Sequence, residues 1–114
     1  PLVLKQFNLR TRTYLHNDTG GNLTALEVVT PDRPGLLAHL GRIFVRFGLR
    51  LHRARIATLG ERVEDVFYIT DKDDQPLSDP DFCQRLQDAI GSELDERNQG
   101  GSVSMTTKDP IPWQ

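Results

Sequence analysis

Between Phe7 and His16 the chain alternates. Phe7, Leu9, Thr11, Thr13 and Leu15 fall on one side of an extended backbone, and Asn8, Arg10, Arg12, Tyr14 and His16 on the other. A period of two, rich in threonine and aromatics, predicts a half-buried strand. Asn17-Asp18-Thr19-Gly20-Gly21-Asn22 supplies turn residues, and Leu23 to Thr30 reads as a second strand. Two strands joined by a short glycine-rich loop form an antiparallel hairpin. Pro31 and Pro34 then interrupt the ladder. Beyond them Leu36, Leu37, Leu40, Ile43, Phe44 and Phe47 recur at helical spacing. The pattern predicts a helix over 34–47, with Pro34 in its first turn and Asp32 as a cap or N-terminal charge. Gly48 stands where a left-handed residue ends such a helix.

The alternation of Leu49 to Thr58 changes parity midway, which predicts a strand with a bulge near His52. Leu59-Gly60-Glu61-Arg62 makes a tight turn. Val63, Asp65, Phe67 and Ile69 then alternate with Glu64, Val66, Tyr68 and Thr70, and apolar groups on both faces suggest a central strand. Asp71 to Pro76 is a solvated loop. Ser78-Asp79-Pro80 opens a second helix with a stripe of Phe82, Leu86, Ala89 and Ile90, ending at Gly91 or extending to Leu94. Asn98 to Ser102 reads as linker, and Pro110, Pro112 and Trp113 close a tail that is flexible or docks outside the chain. The order strand, strand, helix, strand, strand, helix implies an α+β, ferredoxin-like sandwich: a four-stranded antiparallel sheet with two helices on one face. The split βαβ arrangement requires a last strand beside the first strand of the unit. The N-terminal strand can fill that slot; the alternative is an edge supplied by Val103–Met105. The expected organisation is an N-terminal strand and hairpin loop over 1–22, a module over 23–92 and a tail over 93–114.

Composition narrows the functions. Lysine and arginine number 14 against 16 aspartate and glutamate, so the net charge is 14 − 16 = −2. This argues against a nucleic-acid partner, for which a basic domain is usual. No apolar run approaches the ~20 residues of a membrane span. The one cysteine, Cys83, has no partner within the chain for a disulfide. No secretory leader is visible, so a cytoplasmic location is expected. Pro1 reads as a cut within a longer protein.

The candidate ligand site is the loop Asp32, Arg33, Pro34 and Gly35 with Leu36 and Leu37 behind it. Gly35 lets a ligand approach the backbone. A helix start offers N–H groups and a positive dipole end to a carboxylate, and Asp32 offers an anion to an ammonium group. An amino acid carries both charges. The competing reading makes Asp32 a helix cap and Gly35 a place of tight packing. Arg53 and Arg55, near Arg50 and His52, form the densest basic stretch, read first as solvated arginines paired with Glu61, Glu64 or Asp65. His16, His39, His52 and Cys83 lack the spacings of a zinc site, and no catalytic motif or phosphate loop occurs. An acylphosphatase-like enzyme using Arg33 on the same topology is a rival, although two prolines remove donors from its cradle. A purely structural dimerisation module is another. An RNA-reading sheet would place aromatics on its open face, where the opposite parities of Phe67 and Tyr68 leave one.

Asp32-Arg33-Pro34-Gly35-Leu36-Leu37 resembles the Asp-x-Pro-Gly-Leu motif of the ACT domain family, regulatory modules that bind amino acids. The run from Leu51 through Ala54-Arg55-Ile56 and Gly60-Glu61-Arg62-Val63-Glu64-Asp65 to Ile69 is similar, more narrowly, to the C-terminal ACT domain of the bacterial PII uridylyltransferase/uridylyl-removing family. The resemblance covers about residues 23–92. It implies a non-catalytic sensor of glutamine in nitrogen regulation, placed beside a second ACT module and the catalytic domains of a parent enzyme. Magnesium would belong to that parent and no cofactor to this piece. ACT modules usually pair, which implies a homodimer when this one stands alone.

Overall fold

A computed structural model describes residues 10–103, with side chains through residue 96. The elements are β1 (Arg12–Asn17), β2 (Thr24–Pro31), α1 (Leu36–Arg46), β3 (Arg50–Arg55), β4 (Thr58–Leu59), β5 (Arg62–Thr70) and α2 (Pro80–Val103). The sheet runs β1-β2-β5-β3, with the short β4 also on β5 beyond β3. Every pairing is antiparallel. This is the expected ferredoxin-like arrangement, and β1 occupies the slot beside β2 that a last strand would otherwise take. The alternative edge from Val103–Met105 does not form at Val103, which ends α2 as helix; Phe7, Leu9, Met105 and the tail with Pro110, Pro112 and Trp113 lie outside the described residues.

The hairpin between β1 and β2 is closed by bonds from the Asp18 N–H to the Leu23 carbonyl and from the Gly21 N–H to the Asp18 carbonyl. Gly21 takes φ 94°, the left-handed backbone that favours glycine. β3 carries its bulge where the parity changes: Leu51 pairs with Ile69 and Arg53 with Tyr68, leaving His52 extra. One core joins Leu26 and Val28 of β2, Val63, Phe67 and Ile69 of β5, Leu36, Leu40, Ile43 and Phe44 of α1, and Leu86, Ile90 and Leu94 of α2. Phe44 meets Phe67 edge-on at 5.3 Å, and Phe47 meets Phe82 at 5.7 Å.

Several expectations need correction. α1 begins at Leu36, so Pro34 sits in the turn before it. Leu37 is 51% exposed; it lies about 100° around the helix from Leu36, off the stripe that faces the sheet. α2 continues past Gly91 to Val103, across the boundary expected at residue 92 and through Asn98–Ser102. Its apolar row repeats every fourth residue at Leu86, Ile90 and Leu94, all fully buried. A glycine within a helix costs roughly 0.5–1 kcal/mol, whereas each buried leucine or isoleucine contributes about 1.5–3 kcal/mol, so packing outweighs Gly91. The cap of α2 is Asp79, whose carboxylate accepts from the Asp81 N–H at 2.9 Å.

Candidate ligand site

The loop from Asp32 to Gly35 crosses the end of β2 and enters α1. The Asp32 N–H donates to the Glu61 carbonyl at 2.8 Å, which ties the loop to the turn before β5. Gly35, at φ 78°, is the residue that caps α1 through its backbone; no side chain caps this helix, so Asp32 is not its cap. A Cβ on Gly35 would meet nothing within 4 Å. Its role is therefore conformational, and tight packing is excluded as the reason for a glycine there. The Gly35 carbonyl accepts from the His39 N–H, while the N–H groups of Leu37 and Ala38 find no acceptor among the described residues. Asp32, Pro34, Gly35 and Leu37 are exposed, Arg33 is half-buried and Leu36 belongs to the core. The six predicted residues thus lie together, but only Leu36 is spent on the interior.

Arg33 is held from behind. Its Nη2 lies 3.0 Å from Nδ1 of His39, whose Nε2 lies 3.0 Å from Oε1 of Glu93 on α2. The second oxygen of Glu93 accepts from Arg46 of α1. Burial raises the Glu93 carboxyl, but the hydrogen bonds from His39 and Arg46 outweigh it and leave the pKa below the usual glutamate value. Glu93 had no signal in the sequence, because it meets His39 from 54 residues away.

Asp65 was also missed in this role. It is 1% exposed on the inner face of β5, and its Oδ1 accepts from the Ala57 N–H at 3.0 Å. It thereby satisfies the backbone where the outer strand breaks between β3 and β4. Burial pushes its carboxyl up, the Ala57 hydrogen bond pulls it down, and nearby Asp32 adds to the rise. Its parity with Val63, Phe67 and Ile69 was the available sign. The expected pairs of Arg53 and Arg55 with Glu61, Glu64 or Asp65 are replaced by other contacts: Arg53 stacks 4.2 Å over Tyr68, and Glu64 pairs with Arg62. Cys83 is half-buried, and burial followed by Asp79 raises its thiol pKa. Among the described residues no cluster could hold a metal ion, and no helix is long and apolar enough to cross a membrane.

The family model of the ACT domain matches residues 24–79. Similar proteins include bifunctional uridylyltransferase/uridylyl-removing enzymes of three bacteria. That of Pseudomonas putida is 56% identical over 106 residues, 93% of this chain and 12% of the relative. That of Stutzerimonas stutzeri is 54% identical over 99 residues, covering 87% and 11%. That of Pseudomonas syringae pv. syringae is 52% identical over 102 residues, covering 90% and 11%. The chain therefore spans about an eighth of the length of these relatives. No solved structure matches it. With the sheet order, the Asp32–Leu37 loop and these likenesses together, the chain belongs to the ACT domain family through residues 24–79, and it is related to the C-terminal region of bifunctional uridylyltransferase/uridylyl-removing enzymes.

Proposed function

We propose that this chain is the glutamine-sensing regulatory module of a uridylyltransferase/uridylyl-removing enzyme, with the amino acid held at the Asp32–Leu37 loop and no catalytic step of its own. One observation supports the reading: the left-handed Gly35 opens α1 with two N–H groups that have no acceptor among the described residues, in the same loop as the exposed Asp32. The N–H groups and the helix dipole suit the ligand's carboxylate. Asp32 suits its ammonium group, and exposed Leu37 can lie along its side chain.

A loop this open needs a second wall. The β3 side of the sheet supports a place for it, because every residue of β3 is exposed and its outer backbone groups are unpaired among the described residues. A second ACT module, or a second copy of this chain, would extend the sheet there and face the loop. Binding regulates only if the ligand prefers one arrangement of the modules over another. In the cytoplasm of a bacterium the output would be the balance between uridylylation and its reversal in the parent's catalytic domains.

Calorimetry with the common amino acids tests the reading. Glutamine should bind the paired form and stabilise it, and Asp32→Ala should weaken binding by about tenfold or more, some 1.4 kcal/mol. Tight one-to-one binding to a confirmed monomer, or an affinity untouched by Asp32→Ala, contradicts it.

A further inference from the structure

The Arg33–His39–Glu93 chain has a fixed polarity. A guanidinium only donates and an ionised carboxylate only accepts. His39 Nδ1 faces Arg33 and must therefore carry the lone pair. The ring proton sits on Nε2 and is donated to Glu93. The two contacts fit one tautomer of the ring, and its side chain is only 12% exposed, so water does not readily replace either bond. Both oxygens of Glu93 are engaged, one by His39 and one by Arg46. Among the described residues the ring is bonded to Arg33 from the loop and Glu93 from α2, and Glu93 in turn to Arg46 from α1 itself.

Glu93 lies outside residues 24–79, the part matched by the ACT family. It nevertheless reaches the candidate loop through a single side chain. We propose that His39 and Glu93 are positioning residues for the amino-acid site, through which α2 fixes Arg33 and with it the backbone from Asp32 to Gly35. This rests on the loop being the amino-acid site. Its physical content is pre-organisation: a loop held in its bound shape gives up less conformational freedom when ligand arrives. Protonating His39 would set an N–H against the N–H of Arg33 and place two cations side by side.

The test is glutamine titration by calorimetry on the full chain, with the association state of each variant checked by sedimentation. Glu93→Ala and His39→Leu should each weaken glutamine by about tenfold, equivalent to about 1.4 kcal/mol. His39→Gln, whose amide can accept from Arg33 and donate to Glu93, should stay within about threefold. Arg46→Ala removes the other bond to the same carboxylate but leaves His39 in place, and should bind as the wild type does. If Glu93→Ala fails to fold, His39→Leu decides. Glutamine binding by the wild type with unchanged affinity in Glu93→Ala and His39→Leu overturns the relay and leaves the sensing role standing. Equal losses in Arg46→Ala and Glu93→Ala also overturn it, since the cause would then be helix docking. A wild type that binds no amino acid removes both.

Discussion

β1 and β3 both border the sheet, and the molecule treats them differently. On the β1 side, α2 takes up two backbone groups: Asp95 accepts from the N–H of Thr11, just before the strand, at 2.8 Å, and Gln87 donates to the Thr13 carbonyl at 3.2 Å. Thr11 and Thr30 join their hydroxyls at 2.7 Å beneath this cover. Along β3 no such cover exists among the described residues. All of its side chains are exposed, including Leu51, and Ile56 and Leu59 continue the apolar exposure toward β4. A bare strand edge is an open template for pairing, and proteins that do not use one blunt it with charge, a bulge or a covering element. β3 has its bulge and its arginines, whereas β1 has a helix. The difference teaches that, among the described residues, one edge is covered from within the chain and the other is left bare; the proposed function places a partner on the bare one.

The comparison can be broken most severely from the covered side. Leu86→Ala empties a fully buried position of α2 and should cost about 2–5 kcal/mol in urea unfolding. A loss as small as that of a surface change would show that α2 does not close this side. Next, Leu51→Lys on the bare side should change monomer stability by no more than about 0.5 kcal/mol and yet abolish self-association by sedimentation. Retained dimers would move the interface elsewhere. Gln87→Ala and Asp95→Ala should each cost about 0.5–1.5 kcal/mol, and Asp95→Ala should speed hydrogen exchange at the Thr11 amide while leaving β3 unaffected.

The smallest effects are in acid, and they have opposite signs. Glu93 has a folded pKa below its unfolded value of 4.5. Its contribution is present above that value and is lost as pH falls through the folded pKa. Asp65 has a folded pKa above its unfolded value of 3.8. It favours the folded state in acid, and that advantage is lost as pH rises through the folded pKa. Glu93→Gln should therefore flatten the acid limb of a stability curve. Asp65→Asn, which keeps an acceptor for Ala57, should match or exceed the wild type at neutral pH and lose that advantage in acid.

Much of this layout was legible in the sequence, for physical reasons that differ by element. The bulge at His52 follows from a parity change that only an extra residue can reconcile. The placement of β1 follows from a six-residue turn region that leaves a hairpin as the shortest route. Gly48 is left-handed at φ 69°, as its place after a helix predicts. Local patterns also brought Asp32 to Leu37 together, since these residues are neighbours in the chain. What stayed hidden depends on distance or on competition. Glu93 meets His39 only after the sheet and both helices have packed. Gly91 carries a helix-ending signal that the buried row of α2 overrides. Asp32 has the chemistry of a cap, but the left-handed Gly35 takes the chain into α1 without one.

Amide hydrogen exchange on the full chain, with and without glutamine, tests the central claim most directly. The account predicts that glutamine adds protection along β3 and across Asp32–Ala38, with β1 unchanged because α2 already covers it. Added protection confined to β1 and α2, or no change at the loop under conditions where glutamine binds, would contradict it.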